Sequence, residues 1–187
     1  MRISKPVDIE DILQVLAKGG CAICAFLRNE QSALLRGGLR PDEITGICNF
    51  HAWALAAAID IENTARTFLA LLRRGNERDT NSCTFCSRLL EHEVVQLKDL
   101  VAQMNRGLVA TWMRQQGTLC QMHADHLRQL APLKLHKIID EIVERTAQGL
   151  ETQLEDVLRR CAGGKGSGGG VLGRAAEFLV SQRGINH

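Results

Sequence analysis

Six cysteines and two histidines fall into four short clusters whose spacing suits metal ligation: Cys21-Ala-Ile-Cys24, Cys48-Asn-Phe-His51, Cys83-Thr-Phe-Cys86 and Cys120-Gln-Met-His123. A CxxC pair sets two sulfurs one helical turn apart, or folds them round a tight knuckle, so that both reach one ion. CxxH does the same with one sulfur and one imidazole nitrogen. One of each supplies four ligands, and three thiolates with one imidazole form the closed tetrahedral shell of a structural zinc site. At a helix N-terminus the free amide groups and the helix dipole also favour thiolate over thiol. Such a shell leaves no open coordination position, so the chemistry it implies is structural rather than catalytic.

The clusters alternate as CxxC, CxxH, CxxC, CxxH. The two CxxC pairs are offset by 62 residues and the two CxxH pairs by 72, as in a tandem duplication with about ten residues inserted in the second copy. Within a copy the clusters stand 23 residues apart (Ala25–Ile47) or 33 apart (Ser87–Leu119), beyond the roughly 12–15 of a small zinc finger. That length fits a helix going out and a segment coming back, with the metal clamping the base of a hairpin. Loop-closure entropy favours pairing each CxxC with the CxxH of its own copy over pairing across copies or chains. The expected metal ligands are therefore Cys21, Cys24, Cys48 and His51 for one ion and Cys83, Cys86, Cys120 and His123 for the other.

The remaining cysteine and histidines carry weaker signals. Cys161 reads as a buried, unligated thiol on an apolar helix face. His92 and His136 read as surface or satisfied histidines. His126 extends the last cluster to CxxHxxH and is the one rival ligand; the first copy has Ala54 at that place, so repeat symmetry favours His123. Zinc is the expected ion, Zn2+ at two sites. Iron–sulfur clusters, which three Cys and one His can also hold, are the alternative. A thioredoxin-type redox pair would need a βαβ pattern, and none surrounds either CxxC.

The elements that must position these residues read as helices. Only 3 Pro occur and no Tyr, and a core of Leu, Ala, Val and Ile with 4% aromatics suits helix-on-helix packing better than a β-sandwich. The expected fold is all-α: a helical bundle of two pseudo-repeated helical-hairpin modules, each clamped by a Cys-Cys-Cys-His metal site, plus a C-terminal helix. Residues 1–19 carry an N-terminal helix from a capping Asp8 through Leu16, stopped at Gly19-Gly20. The first module covers 20–75, with one helix from the first CxxC to Gly37-Gly38, a short turn at Pro41-Asp42-Glu43 and a long helix over Cys48–Leu72. A polar linker from Arg74 to Ser82 precedes the second module at 83–132, with helix from Cys83 to about Arg114 broken near Gly107, and another from Cys120 to about Gln129. Residues 133–161 form a long helix packing on the modules, 162–170 a Gly-rich linker, and 171–187 a C-terminal amphipathic segment with Leu172, Ala175, Ala176 and Leu179 on one face. The linker contains Gly-Lys but lacks the phosphate-loop spacing and a preceding strand.

The formal charge is +2, and six thiolates on two dications bring it to about zero. Neither value points to nucleic acid or a membrane surface. The start MRISKPVDIEDILQ has no apolar run or small-residue cleavage site, and the longest apolar run, near Trp53–Ile59, is far short of a bilayer span. A cytoplasmic location is expected, where paired cysteines bind metal more often than they form disulfides.

The segments GGCAICAFL, GICNFHAW, CTFCSRLL and GTLCQMHADHL resemble a group of uncharacterised prokaryotic proteins with duplicated CPxC…GFCxxHxW modules. The resemblance covers roughly residues 20–130. It implies Cys21, Cys24, Cys48, His51, Cys83, Cys86, Cys120 and His123 as ligands, and lends no activity. The Trp after the first CxxH is Trp53; the second copy has Asp125 there, and the Pro inside CxxC is replaced by Ala22 and Thr84. No Ser-His-Asp order, nucleotide loop or facing carboxylate pair is readable. The expected role is a non-enzymatic scaffold or adaptor with a protein partner or as a homo-oligomer. The alternatives are an iron–sulfur protein for electron transfer or redox sensing and, weakly motivated by Arg73, Arg74 and Arg78, a metal-dependent transcriptional regulator.

Overall fold

A computed structural model describes residues 20–57, 60–74, 83–163 and 169–180. Among these residues there are eight α-helices and no strand, so the all-α class is the one found. The helices are α1 (Ala22–Ala33), α2 (Asn49–Ala56), α3 (Ile61–Arg74), α4 (Thr84–Asn105), α5 (Leu108–Gln116), α6 (Gln121–Leu130), α7 (Leu133–Ala162) and α8 (Gly169–Val180).

Breaks fall where the backbone chemistry demands them. After α1 the chain continues as a wide turn over Leu34–Gly38, with Gly37 at φ 98°, the left-handed region open to glycine. Pro41–Glu43 forms one turn of 3-10 helix, and the Glu43 carboxylate accepts a hydrogen bond from the Arg40 N–H at 2.9 Å. Gly107, at φ 95°, separates α4 from α5. Gly117 closes α5 because a Cβ there would stand 2.6 Å from Met113 Sδ and 2.8 Å from its Cα.

The single helix expected over Cys48–Leu72 is instead two, α2 and α3. Asp60 is the reason: its Oδ1 accepts from the Asn63 N–H at 2.9 Å and its carbonyl from the Thr64 N–H at 3.1 Å. It thus caps α3 and starts a new helix without a glycine or proline. Cys161 is exposed rather than buried, because it lies at the end of α7, where Leu158 is exposed as well. On α8 the buried residue is Phe178, whereas Leu172 and Leu179 of the expected apolar face are exposed. The N-terminal helix expected within 1–19, the polar linker at 75–82, residues 164–168 of the Gly-rich linker and residues 181–187 lie outside the described residues.

The chain divides into two compact units. One is Phe26–Val94; the other combines residues 20–25 with 95–180. The sequence modules at 20–75 and 83–132 do not coincide with these units. In the 26–94 unit, α3 packs against α2 and the 3-10 turn. In the other unit, α7 packs against α5, α6 and α8, and α6 also meets α8. Among the described residues no helix is long and apolar enough to cross a membrane.

Candidate metal centres

All four clusters adopt one local arrangement. Each first cysteine stands immediately before a helix, and its carbonyl accepts the first bond of that helix: Cys21 from Ala25 N–H (2.9 Å), Cys48 from Ala52 (2.9 Å), Cys83 from Ser87 (2.9 Å) and Cys120 from Ala124 (3.0 Å). The partner residue, three positions on, lies in the first helical turn and so points the same way as the cysteine at the cap. The two CxxH cysteines have nearly the same backbone, φ −80° and ψ 164° at Cys48, φ −77° and ψ 159° at Cys120. The Cys120 sulfur also accepts from the His123 N–H at 3.5 Å.

Four helix N-termini meet in two pairs, and the pairs cross the sequence repeat. Cys21 and Cys24 join Cys120 and His123, while Cys48 and His51 join Cys83 and Cys86; within each quartet the ligand atoms all lie within 4.8 Å of one another. This overturns the expectation that each CxxC pairs with the CxxH of its own copy. The entropy argument for local closure was too small to decide it. Lengthening the first loop roughly fourfold, from Ala25–Ile47 to Ala25–Leu119, costs only about 1 kcal/mol on a logarithmic law. Each quartet falls within one compact unit.

In the first quartet, His123 Nδ1 stands 3.4 Å from Cys21 Sγ, 3.4 Å from Cys24 Sγ and 3.0 Å from Cys120 Sγ, with Cys24 and Cys120 sulfurs 3.8 Å apart. In the second, His51 Nδ1 stands 3.3 Å from Cys48 Sγ, 3.5 Å from Cys83 Sγ and 3.4 Å from Cys86 Sγ, with Cys48 and Cys86 sulfurs 3.9 Å apart. One ring nitrogen offers one proton or one lone pair, so three near-equal contacts are not three hydrogen bonds. The sulfurs are too far apart for disulfides. A nitrogen within 3.0–3.5 Å of three sulfurs, with all four ligand atoms of a quartet within 4.8 Å of one another, suits four corners around a common centre. These eight residues could hold two metal ions.

The electrostatics show what the quartets lack. In the first, burial opposes ionisation of Cys21, but hydrogen bonds from Cys120, Cys24 and His123 outweigh it and hold that thiol well below its ordinary value. Cys24 is raised, first by hydrogen bonding to Cys120 and Cys21 and then by burial, and Cys120 is raised chiefly through its bond to Cys21. In the second, burial and then the neighbouring Cys83 charge push Cys86 up to about 12. Burial also lowers His51 to about 4, keeping the imidazole neutral as a ligand must be. Crowded buried thiols thus resist multiple ionisation. A dication, with two helix N-termini aimed at the same point, would supply the missing positive charge.

The surroundings fix the ligands. The His51 ring stacks on Phe85 (5.3 Å, 18°) and meets Phe50 edge-on (5.1 Å, 80°). With Nδ1 turned to the sulfurs, its Nε2 lies 3.4 Å from the Gln31 side-chain amide nitrogen. The Thr84 hydroxyl accepts from the Thr45 N–H at 3.0 Å, and the Thr84 N–H donates to the Gly46 carbonyl at 3.1 Å, tying the approach to Cys48 to the start of α4. At the other quartet, the Cys21 N–H donates to Glu177 Oε1 of α8 at 2.7 Å, and the Thr118 hydroxyl donates to the Gly20 carbonyl. Arg145 of α7 donates to the carbonyls of Met113 (3.2 Å), Arg114 and Gly117, holding the turn that leads to Cys120.

His126 stands outside the quartet, half-buried, its ring edge-on to His123 at 6.3 Å. His92 pairs with Glu30 (2.7 Å) and His136 with the Ala131 carbonyl (3.1 Å). The supporting residues Gln31, Glu177 and Arg145 had no sequence signal, since each acts over a long separation. The two phenyl rings had one: Phe50 and Phe85 occupy the same place in Cys-x-Phe-His and Cys-x-Phe-Cys. Compared with protein-family models, with curated proteins and with solved structures, the chain matches none.

Proposed function

We propose that the chain binds two zinc ions as permanent structural elements and serves as a non-enzymatic helical scaffold or adaptor in the cytoplasm. One observation carries the choice of ion: the corner-to-corner distances of the quartets. Zinc bonds of about 2.3 Å to sulfur and about 2.0–2.1 Å to nitrogen give tetrahedral edges of about 3.8 Å between sulfurs and about 3.6 Å between sulfur and nitrogen. The quartets have 3.8 Å for Cys24 to Cys120, 3.9 Å for Cys48 to Cys86, no ligand pair beyond 4.8 Å, and 3.0–3.5 Å for sulfur to nitrogen. A cluster spreads its outer thiolates over several irons, so the iron–sulfur reading fits this spacing less well. Four protein ligands per ion leave no position for substrate or water, which supports a structural role. Three-thiolate sites also suit a reducing compartment.

The adaptor part of the reading rests on apolar side chains left at the surface, among them Trp53, Ile61, Leu72, Leu172 and Leu179. The same reading extends to the prokaryotic proteins with CPxC…GFCxxHxW modules that the sequence resembles.

Anaerobically purified protein tests it directly. Two equivalents of zinc per chain, no visible absorption near roughly 400 nm and loss of helicity on chelation are the expected results. Iron with acid-labile sulfide, or full helicity after complete removal of zinc, overturns it.

A further inference from the structure

Helix α3 buries Thr67 and Leu71 but leaves an apolar stripe at the surface. Thr67 is wholly buried and the Thr64 hydroxyl donates to the Leu55 carbonyl at 3.2 Å, while Ile61 is 79% exposed, Leu72 68% and Leu69 47%. Ala65 is exposed too, and Phe68 is half-buried. Ile61, Ala65, Phe68 and Leu72 follow a four-three-four spacing, the repeat of a seam between two packed helices. Here the seam faces outward.

We propose that this seam docks against the same seam of a second copy of the chain, with the two α3 helices antiparallel. Two features of α3 select that occupant and that direction. The first is size. About a two-fold axis between Ala65 and Phe68, antiparallel helices set Ile61 against Leu72 of the second copy and the small Ala65 against the large Phe68. Parallel helices would set Ala65 against itself and Phe68 against itself, leaving a gap beside a clash. The second is charge. The first turn of α3 carries Glu62, paired with Arg66 of the same helix at 2.6 Å, and the last turn carries Arg73 and Arg74, the latter donating to the Asp42 carbonyl at 2.8 Å. Antiparallel pairing keeps the two Arg73-Arg74 ends apart and opposes the two helix dipoles, whereas parallel pairing puts those like charges together. The surface is complementary to itself under a two-fold rotation, as a closed dimer requires. One helix pair is a small interface, so the dimer is reversible and its population depends on concentration.

The inference stands apart from the choice of metal, since mass and metal content are separate readouts. The test is the molar mass of the zinc-loaded full chain by light scattering and sedimentation over a range of concentrations, with zinc per chain and helicity recorded on each sample. A rise with concentration to twice the 20.6 kDa chain mass is expected. Leu72→Asp and Ile61→Asp, both at exposed positions, should each raise the dissociation constant on the order of tenfold or more with helicity and zinc unchanged. Ala65→Phe alone should weaken the dimer, and Ala65→Phe with Phe68→Ala should restore it, because the large and small residues then exchange places across the antiparallel seam. A monomer at every concentration overturns the proposal and assigns the seam to a different protein. A dimer indifferent to Leu72→Asp and Ile61→Asp overturns it by placing the interface elsewhere. A dimer lost with Leu72→Asp but not restored by the exchange overturns the antiparallel register.

Discussion

His51 sits between two phenyl rings with one nitrogen facing three sulfurs, so its ionisation is tied to the cluster it completes. Its pKa, lowered by burial to about 4, lies below the ordinary value of about 6.5. Between those values the unfolded chain takes up a proton that the folded chain refuses. Stability therefore falls as pH drops from about 6.5 towards 4. Denaturant titrations at pH 7, 5.5 and 4 should show this loss, with zinc release running in parallel. Conversely, zinc loading at pH 7 should displace about two protons from the other quartet, those held on Cys24 and Cys120, as an indicator dye in weak buffer would record. Substitutions also report the pairing. Cys24→Ala with His123→Ala should cost one zinc equivalent, because both residues serve the same ion. Cys24→Ala with His51→Ala should cost both. Pairing within each copy would give the opposite pattern. The eight residues that the fold gathers into two quartets were legible from residue type and spacing because each CxxC or CxxH is a local device. His126 was ambiguous because spacing alone cannot say which imidazole of one helix face reaches a partner brought from elsewhere in the chain.

At the scale of elements, the ligands are only as well placed as the helix ends that carry them. Arg145 gathers the last carbonyls of α5 and so fixes the turn before Cys120. Arg145→Ala should lower stability by about 1.5–3 kcal/mol, the range for hydrogen bonds to a charged group, read from denaturant midpoints of the zinc-loaded protein. Gly20 precedes Cys21 at φ 99°, and a Cβ there would stand 3.0 Å from the Glu177 carboxylate. Gly20→Ala should cost about 1 kcal/mol from the backbone alone, with weakened zinc retention at that quartet. Most helices were readable, since glycines at 37, 107 and 117 mark their ends. The break at Asp60 was not, because an aspartate cap looks like any polar residue inside an Ala/Leu-rich run until its side chain is seen bonded to Asn63. On α8 the burial of one residue was likewise not legible. Periodicity found an apolar stripe through Leu172 and Leu179, whereas Phe178 is what the fold buries.

At the scale of the whole chain, each compact unit carries one complete quartet. Chelation should therefore remove zinc in two steps, each accompanied by loss of helicity in one unit, rather than in a single cooperative transition. Hydrogen exchange followed through a chelator titration would separate them: amides around Phe85 belong to one step and those around Leu127 to the other. This division was hidden from the sequence. A repeat suggests that each copy is a unit, and the rule that nearby segments close first pointed the same way. Which helix ends finally meet depends on how whole helices pack, and that contributes far more free energy than the small entropic preference for a short loop.

Crossed pairing has a consequence during synthesis. Cys21, Cys24, Cys48 and His51 leave the ribosome together, yet none of them has its final partners until the second copy emerges. His123 follows His51 by about seventy residues, several seconds at roughly 5–20 residues per second. Throughout that interval the nascent chain displays three thiols and an imidazole that can share one ion in the wrong combination. A chain that loads metal in this way would either keep its first four ligands empty or exchange them once the second four arrive, and the timing of metal delivery would then be part of its maturation.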